Sequence, residues 1–176
     1  MSAIRYRVYR RGRYAAPRGV ALPVVLVIAS MMLVTSAAWF EASLLEARNA
    51  SLITDRLQAF HAADGALSLC TRALVNGSMF APSAPLQPGE PAGWRQKGTF
   101  EAQAVVPVVT WPGSARLPQC LVEAWRIDSR PAARAFVVTA RGFGVDDDTQ
   151  SWLQAQIVFE GTRVERHWRR VVARPF

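Results

Sequence analysis

Cysteine and histidine are scarce in this chain of 176 residues, with two of each. Cys70 and Cys120 stand too far apart for a CxxC redox motif, and no cluster of His and Cys has the spacing of a zinc site. His61 follows Phe60 in a helical stretch and His167 lies in a basic tail. Neither has a serine, cysteine or acid at a spacing that activates a nucleophile, so no catalytic residue and no cofactor are expected. Internal repeats are absent, and no segment is of low complexity beyond one proline-rich stretch. Acid is missing from the first 40 residues, which carry arginines at positions 5, 7, 10, 11, 13 and 18. The formal net charge of +8 owes most of its size to them: without these six, 15 basic residues face 13 acidic ones. A near-neutral remainder removes the main support for nucleic-acid binding.

After Gly19 comes a run without charge, Val20 to Phe40, interrupted only by Pro23, Ser30, Thr35 and Ser36. As a helix it would reach roughly 30 Å, about the thickness of a bilayer's hydrocarbon core. Positive charge before the run and none within it predicts a cytoplasmic N-terminus and an outward-facing remainder. Four readings of residues 1–19 compete: a secretory signal cut before Trp39, after Ser36-Ala37-Ala38; a twin-arginine signal at Arg10-Arg11; an uncleaved anchor; and a basic leader cut between Gly19 and Val20. Pro23 favours the last, because a helix beginning at Val20 would hold it in the first turn, where no amide bond is lost.

Helical patterning continues to Val75. Ile53, Leu57, Phe60, Ala63, Leu67, Cys70 and Leu74 recur at steps of three and four and predict one packing stripe. Asn76-Gly77 reads as a C-terminal cap. Residues 78–98 hold prolines and glycines enough for a surface loop. Strands are predicted over Thr99–Val106, Gln119–Ile127, Arg134–Arg141 and Ser151–Phe159, with Arg163–Phe176 as an edge strand or a loose basic end. Short connections between them imply an antiparallel meander with one apolar face, which the helical stripe would cover. The expected organisation is a leader 1–19, a long helix 20–77 with 20–40 crossing the membrane, a loop 78–98 and a β-sheet body 99–176. This is an α+β fold.

Asp146-Asp147-Asp148 forms the one acidic cluster. Three adjacent side chains cannot all face one hard cation, so a solvated hairpin tip is expected rather than an ion site. Asn49-Ala50-Ser51 and Asn76-Gly77-Ser78 match the glycosylation triplet, a common pattern to which no role is given. Cys70 shares the helical face of Leu67 and Leu74, and Cys120 a strand face with Val122 and Ala124. An oxidising compartment makes a disulfide between them the expectation, with two buried thiols the alternative.

The helix carries a set of residues that resembles the N-terminal signature of PilX-type minor pilins. Glu46-Ala47-Arg48-Asn49 is followed by Asp55-Arg56 and then by Ala59-Phe60-His61-Ala62-Ala63-Asp64 with Ala66-Leu67. In that family an E-R-N group precedes D-R and A-F-x-A-A-E-x-A-L; here Asp64 stands where the pattern has glutamate. Cys120-Leu121-Val122-Glu123 and Thr139-Ala140-Arg141-Gly142-Phe143-Gly144, ahead of Leu153-Gln154, fit the later part of the pattern more loosely. The resemblance implies a pilin-like fold and a type IV pilus subunit of the inner membrane and periplasm, cut by prepilin peptidase at Gly19–Val20. Its implied partners are other minor pilins, the major pilin and a PilY-type tip adhesin, with no nucleic acid. Val24 would be the fifth mature residue, where major pilins carry a glutamate. An unpaired acid at that depth costs about 2.5–3.5 kcal/mol or more, and a tip subunit has no neighbour above to pair it. The competing assignments are a minor pseudopilin of type II secretion and a membrane-anchored periplasmic binding module with no filament.

Overall fold

The computed structural model describes residues 21–79 and 89–176. The Gly19–Val20 pair and part of the proline-rich loop lie outside them. Contacts divide the chain into two units, Met1–Ala47 and Arg48–Phe176.

In the first unit the described residues form the opening of helix α1, which runs from Ala21 to Val75. Pro23 is its third residue, inside the first turn, where its missing N–H has no partner to lose. Every side chain from Ala21 to Ala47 is exposed, and an 18-residue window of α1 has a mean hydropathy of 2.2. The helix is therefore long and apolar enough to cross a membrane. Two hydroxyls in this segment bond back to the helix: Ser30 donates to the Val27 carbonyl at 2.8 Å and Thr35 to that of Met31 at 3.0 Å.

In the second unit, the rest of α1 packs on a four-stranded antiparallel sheet of order β1-β2-β3-β4, an α+β layout compatible with a pilin-like fold. The strands are β1 Gln119–Trp125, β2 Arg134–Phe143, β3 Gln150–Glu160 and β4 Arg163–Val171. The helix ends in a Schellman motif: Gly77, at φ 71°, donates to the Leu74 carbonyl and Ser78 to that of Ala73. Register places three apolar rows under α1, namely Cys120–Ala140–Leu153, Val122–Val138–Ala155 and Ala124–Phe136–Ile157. Ala63, Ala66, Leu67, Cys70 and Leu74 complete this core from the helix side. Cys70 and Cys120 are joined in a disulfide with Cα atoms 6.6 Å apart.

The alanines set the distance between layers. A Cβ on Gly142 would run into the backbone of Ala59, Ala62 and Ala63, so β2 crosses the helix with main chain against main chain. Bulkier side chains on either element would push the sheet away.

Three sequence expectations need correction. Thr99–Val106 is not a strand: Lys97–Gln103 forms helix α2, preceded by a short 3₁₀ turn at Gly93–Arg95. Lys, Glu, Ala and Gln are good helix formers, and the single large apolar side chain, Phe100, is buried by one turn of helix as readily as by a strand. The sheet does not expose its second face either. Trp94, Phe100, Leu121 and Trp152 form a second core there, with Phe176 packed against it. Finally, the stripe on α1 is shorter than its periodicity. Ile53 and Leu57 are 58% and 52% exposed, because burial under the sheet begins only at Ala59, whereas Phe60 is half-buried and Ala63, Leu67 and Leu74 are fully covered. The basic segment from Arg163 resolves into edge strand β4, turned tightly from β3 at Gly161, φ 57°.

Candidate functional site

The family-type residues of α1 divide sharply in what they touch. Glu46, Arg48, Asn49 and Arg56 are exposed, and Ala63 is buried beneath Gly142. Asp55 holds the β2–β3 hairpin. Its Oδ1 accepts the backbone N–H of Val145, and the Gly144 main chain passes so close that a Cβ there would strike the carboxylate. The Thr149 hydroxyl donates to the same carboxylate. That bond, helped by the Val145 and Asp146 amides and opposed by partial burial, holds Asp55 below the usual carboxylate range. An aspartate 90 residues away in sequence thus caps the loop that the acidic triplet belongs to.

That triplet is a hairpin tip. Asp146, Asp147 and Asp148 are exposed; Asp147 lies 3.9 Å from Arg116 and Asp148 3.8 Å from Arg174. Among the described residues no group of three or more His, Cys, Asp or Glu side chains is placed to hold a metal ion.

On the second face of the sheet, Arg141 is 4% exposed and sits in an aromatic box. Its guanidinium lies 4.5 Å from the Phe143 ring centroid, 5.3 Å from Trp152 and 5.4 Å from Phe176. Its Nε donates to Gln150 at 3.2 Å, while Nη1 has no hydrogen-bond partner. Burial, with Arg116 and Arg174 nearby, lowers its pKa; an arginine remains charged nonetheless. The rings supply the compensation that a carboxylate would give elsewhere. Beside it runs a connected polar row: Gln154 donates to Thr139 at 2.8 Å and accepts from Arg169 at 2.8 Å, and Arg169 pairs with Glu90. Glu123, half-buried, accepts the Trp94 N–H at 3.2 Å; desolvation raises its pKa against that bond.

The flanks of α1 differ. On one, the six-membered ring of Trp111 lies against Gly65, where any side chain would collide with the indole, and Gln58 donates to the Pro112 carbonyl at 2.8 Å. On the other is a groove of about 470 Å³ between the helix and β4. Asp64, Leu67, Thr71 and Arg72 form one wall, Arg166 and Trp168 the other, and Ala155 the floor. Asp64, the residue in the glutamate position of the family pattern, opens into this groove. His61 is exposed and meets Phe60 edge-on at 5.9 Å, and His167 is exposed on β4, so neither joins an acid–base constellation.

Sequence patterning did not single out Arg141, Trp111 or Trp168. The alternation of Arg166, Trp168 and Arg170 was the available signal for the last, since a period of two on a strand puts all three on one face. No such signal exists for Trp111, whose partner Gly65 is distant in sequence, and although Arg141 falls in the Thr139–Gly144 segment, its enclosure needs Trp152 and Phe176 as well as the nearby Phe143. Comparison of the chain with protein-family models, with curated proteins and with solved structures finds no match to any of them.

Proposed function

We propose that the chain is a minor pilin, a non-catalytic subunit that helps to initiate type IV pilus assembly and sits near the pilus tip. The observation that carries this reading is α1 itself. A single helix of 55 residues has an apolar opening able to cross a membrane and a closing half that packs on an antiparallel sheet. A plain anchor has no need to continue unbroken into a globular core, whereas a filament subunit uses one such element both to be held in the bilayer and to stack with its neighbours. In this reading the N-terminus is cytoplasmic, the body periplasmic, and prepilin peptidase cuts between Gly19 and Val20. Val24 leaves the fifth mature position without an acid, as suits a subunit with none above it. The Cys70–Cys120 bridge ties helix to sheet, so force drawn along α1 is shared with the body. Other minor pilins, the major pilin and a PilY-type adhesin are the partners this role calls for.

N-terminal sequencing of the mature protein tests the assignment. Val20 as first residue supports it, Trp39 identifies a secretory signal, and an intact leader a simple anchor. Deletion of the gene should strip surface pili while leaving the major subunit's level unchanged. Intact pili with failed protein secretion would instead identify a secretion pseudopilin.

A further inference from the structure

The three apolar rows beneath α1 each continue onto β4, and there their chemistry changes. Leu153 pairs with Arg170, Ala155 with Trp168 and Ile157 with Arg166. The helix does not reach this column: Arg166 and Arg170 are exposed, and Trp168 is 56% exposed although it stands beside the core. Two features make the strip more than a solvated edge. The groove between α1 and Trp168 is floored by Ala155, a small residue that leaves depth where its neighbours in the column, Leu153 and Ile157, would fill it. In addition, β4 ends the sheet order, and its outer edge carries no partner strand among the described residues, whereas β1 at the opposite edge is bridged by Val105.

We propose that β4 is a peptide-docking edge that takes an extended, acidic segment of a protein partner as a fifth strand. The backbone of such a segment would pair with the open edge of β4. Its carboxylates would face Arg166 and Arg170, and an apolar side chain between them would pack against the exposed Trp168 indole. Charge decides the occupant. Arg163 pairs with Glu165 and Arg169 with Glu90, but Arg166, Arg170 and Arg72 make no ion pair among the described residues, and Asp64 is the one acid in the groove. The strip thus keeps uncompensated positive charge on the face a partner would meet. A second copy paired with Trp168 opposite Trp168 would set Arg166 against Arg170, and self-association in any other register is an outcome the test below reads. The inference goes beyond the filament assignment and does not depend on it: a peptide titration reads β4 alone, while processing and piliation read the filament.

The test uses the full chain in non-ionic detergent micelles. The probe is a labelled synthetic peptide alternating glutamate with valine and threonine, followed by fluorescence anisotropy. The acidic peptide should bind, more weakly as salt rises, and a lysine-for-glutamate version should not. Arg166→Glu with Arg170→Glu should weaken the acidic peptide about tenfold or more and confer binding of the lysine version, and Trp168→Ala should weaken both pairings. Arg166→Gln with Arg170→Gln, which leaves the exposed surface uncharged, should weaken the acidic peptide without conferring the basic one. The proposal is overturned if both peptides bind the parent equally, if none of these substitutions changes binding, or if the chain self-associates through β4. Competition by anionic-lipid bicelles at equal charge would overturn it too, in favour of a membrane surface.

Discussion

Gly142→Ala adds one methyl group at the point where β2 crosses α1, and the structure leaves that methyl nowhere to go. Its Cβ would overlap the Ala63 nitrogen, the Ala59 carbonyl oxygen and the Ala62 carbonyl carbon, all main-chain atoms of a helix that is pinned by the Cys70–Cys120 bridge and by the core rows. A flexible side chain could swing aside; a helical backbone cannot, so helix and sheet must separate. Overpacking of a tight core costs about 1–3 kcal/mol, and a clash against backbone belongs at or above the upper end, about 3 kcal/mol. For a body of this size, 1 kcal/mol moves the midpoint of thermal unfolding by about 3–6 °C, so the variant should melt about 10–15 °C below the parent. Gly98 provides the internal control. It lies in helix α2 with nothing near enough to touch an added Cβ, and its φ is not positive. There the same substitution should be neutral or stabilising by up to about 1 kcal/mol, because glycine carries an entropic cost in a helix. Thermal melts of both variants in detergent micelles, followed by near-ultraviolet circular dichroism, make the comparison. A Gly142→Ala protein that melts with the parent would refute the main-chain contact between β2 and α1, and with it the explanation offered for the alanines at 59, 62 and 63.

Two other consequences concern the same body. Reduction of the Cys70–Cys120 disulfide, or its replacement by serines, should destabilise by about 4 kcal/mol on the chain-entropy model for a closed loop of 50 residues, seen as a lower denaturant midpoint with dithiothreitol than without. An unchanged midpoint would mean that the bridge is not formed. Asp55 gives a pH signature: its folded pKa lies below the unfolded value, so its contribution is present above about pH 4 and lost as pH falls through the folded value. Asp55→Asn should remove that acid limb of the stability curve and speed amide exchange at Val145, and a variant with the parent's acid limb and exchange rates would count against the clamp.

Helix α1 could be read from the chain because what makes it is local. A charge-free run, a proline confined to the first turn, apolar residues at steps of three and four, and Asn76-Gly77 at the end all act within a few residues of one another. Strands β2 and β3 were legible for the same reason, and so was the meander, since short connections leave antiparallel pairing as the simple outcome. Helix α2 was not: Phe100, Ala102 and Ala104 satisfy a period of two as well as a single helical turn, and only the uncovered second face of the sheet decides between them. Periodicity named the face of α1 that packs but not where packing stops, so Ile53 and Leu57 entered the stripe though the sheet never reaches them. Neither the room that Gly65 leaves for Trp111 nor the bond between Asp55 and the hairpin loop has a local cause, since the partners lie far apart in the chain. Arg141 sits among rings drawn from three places in the chain, and the Arg166–Trp168–Arg170 column owes its exposure to the width of one helix laid across four strands. Sequence by itself determined the elements whose causes are near neighbours; tertiary structure alone decided which surfaces are covered, because burial depends on residues that the chain brings together only when it folds.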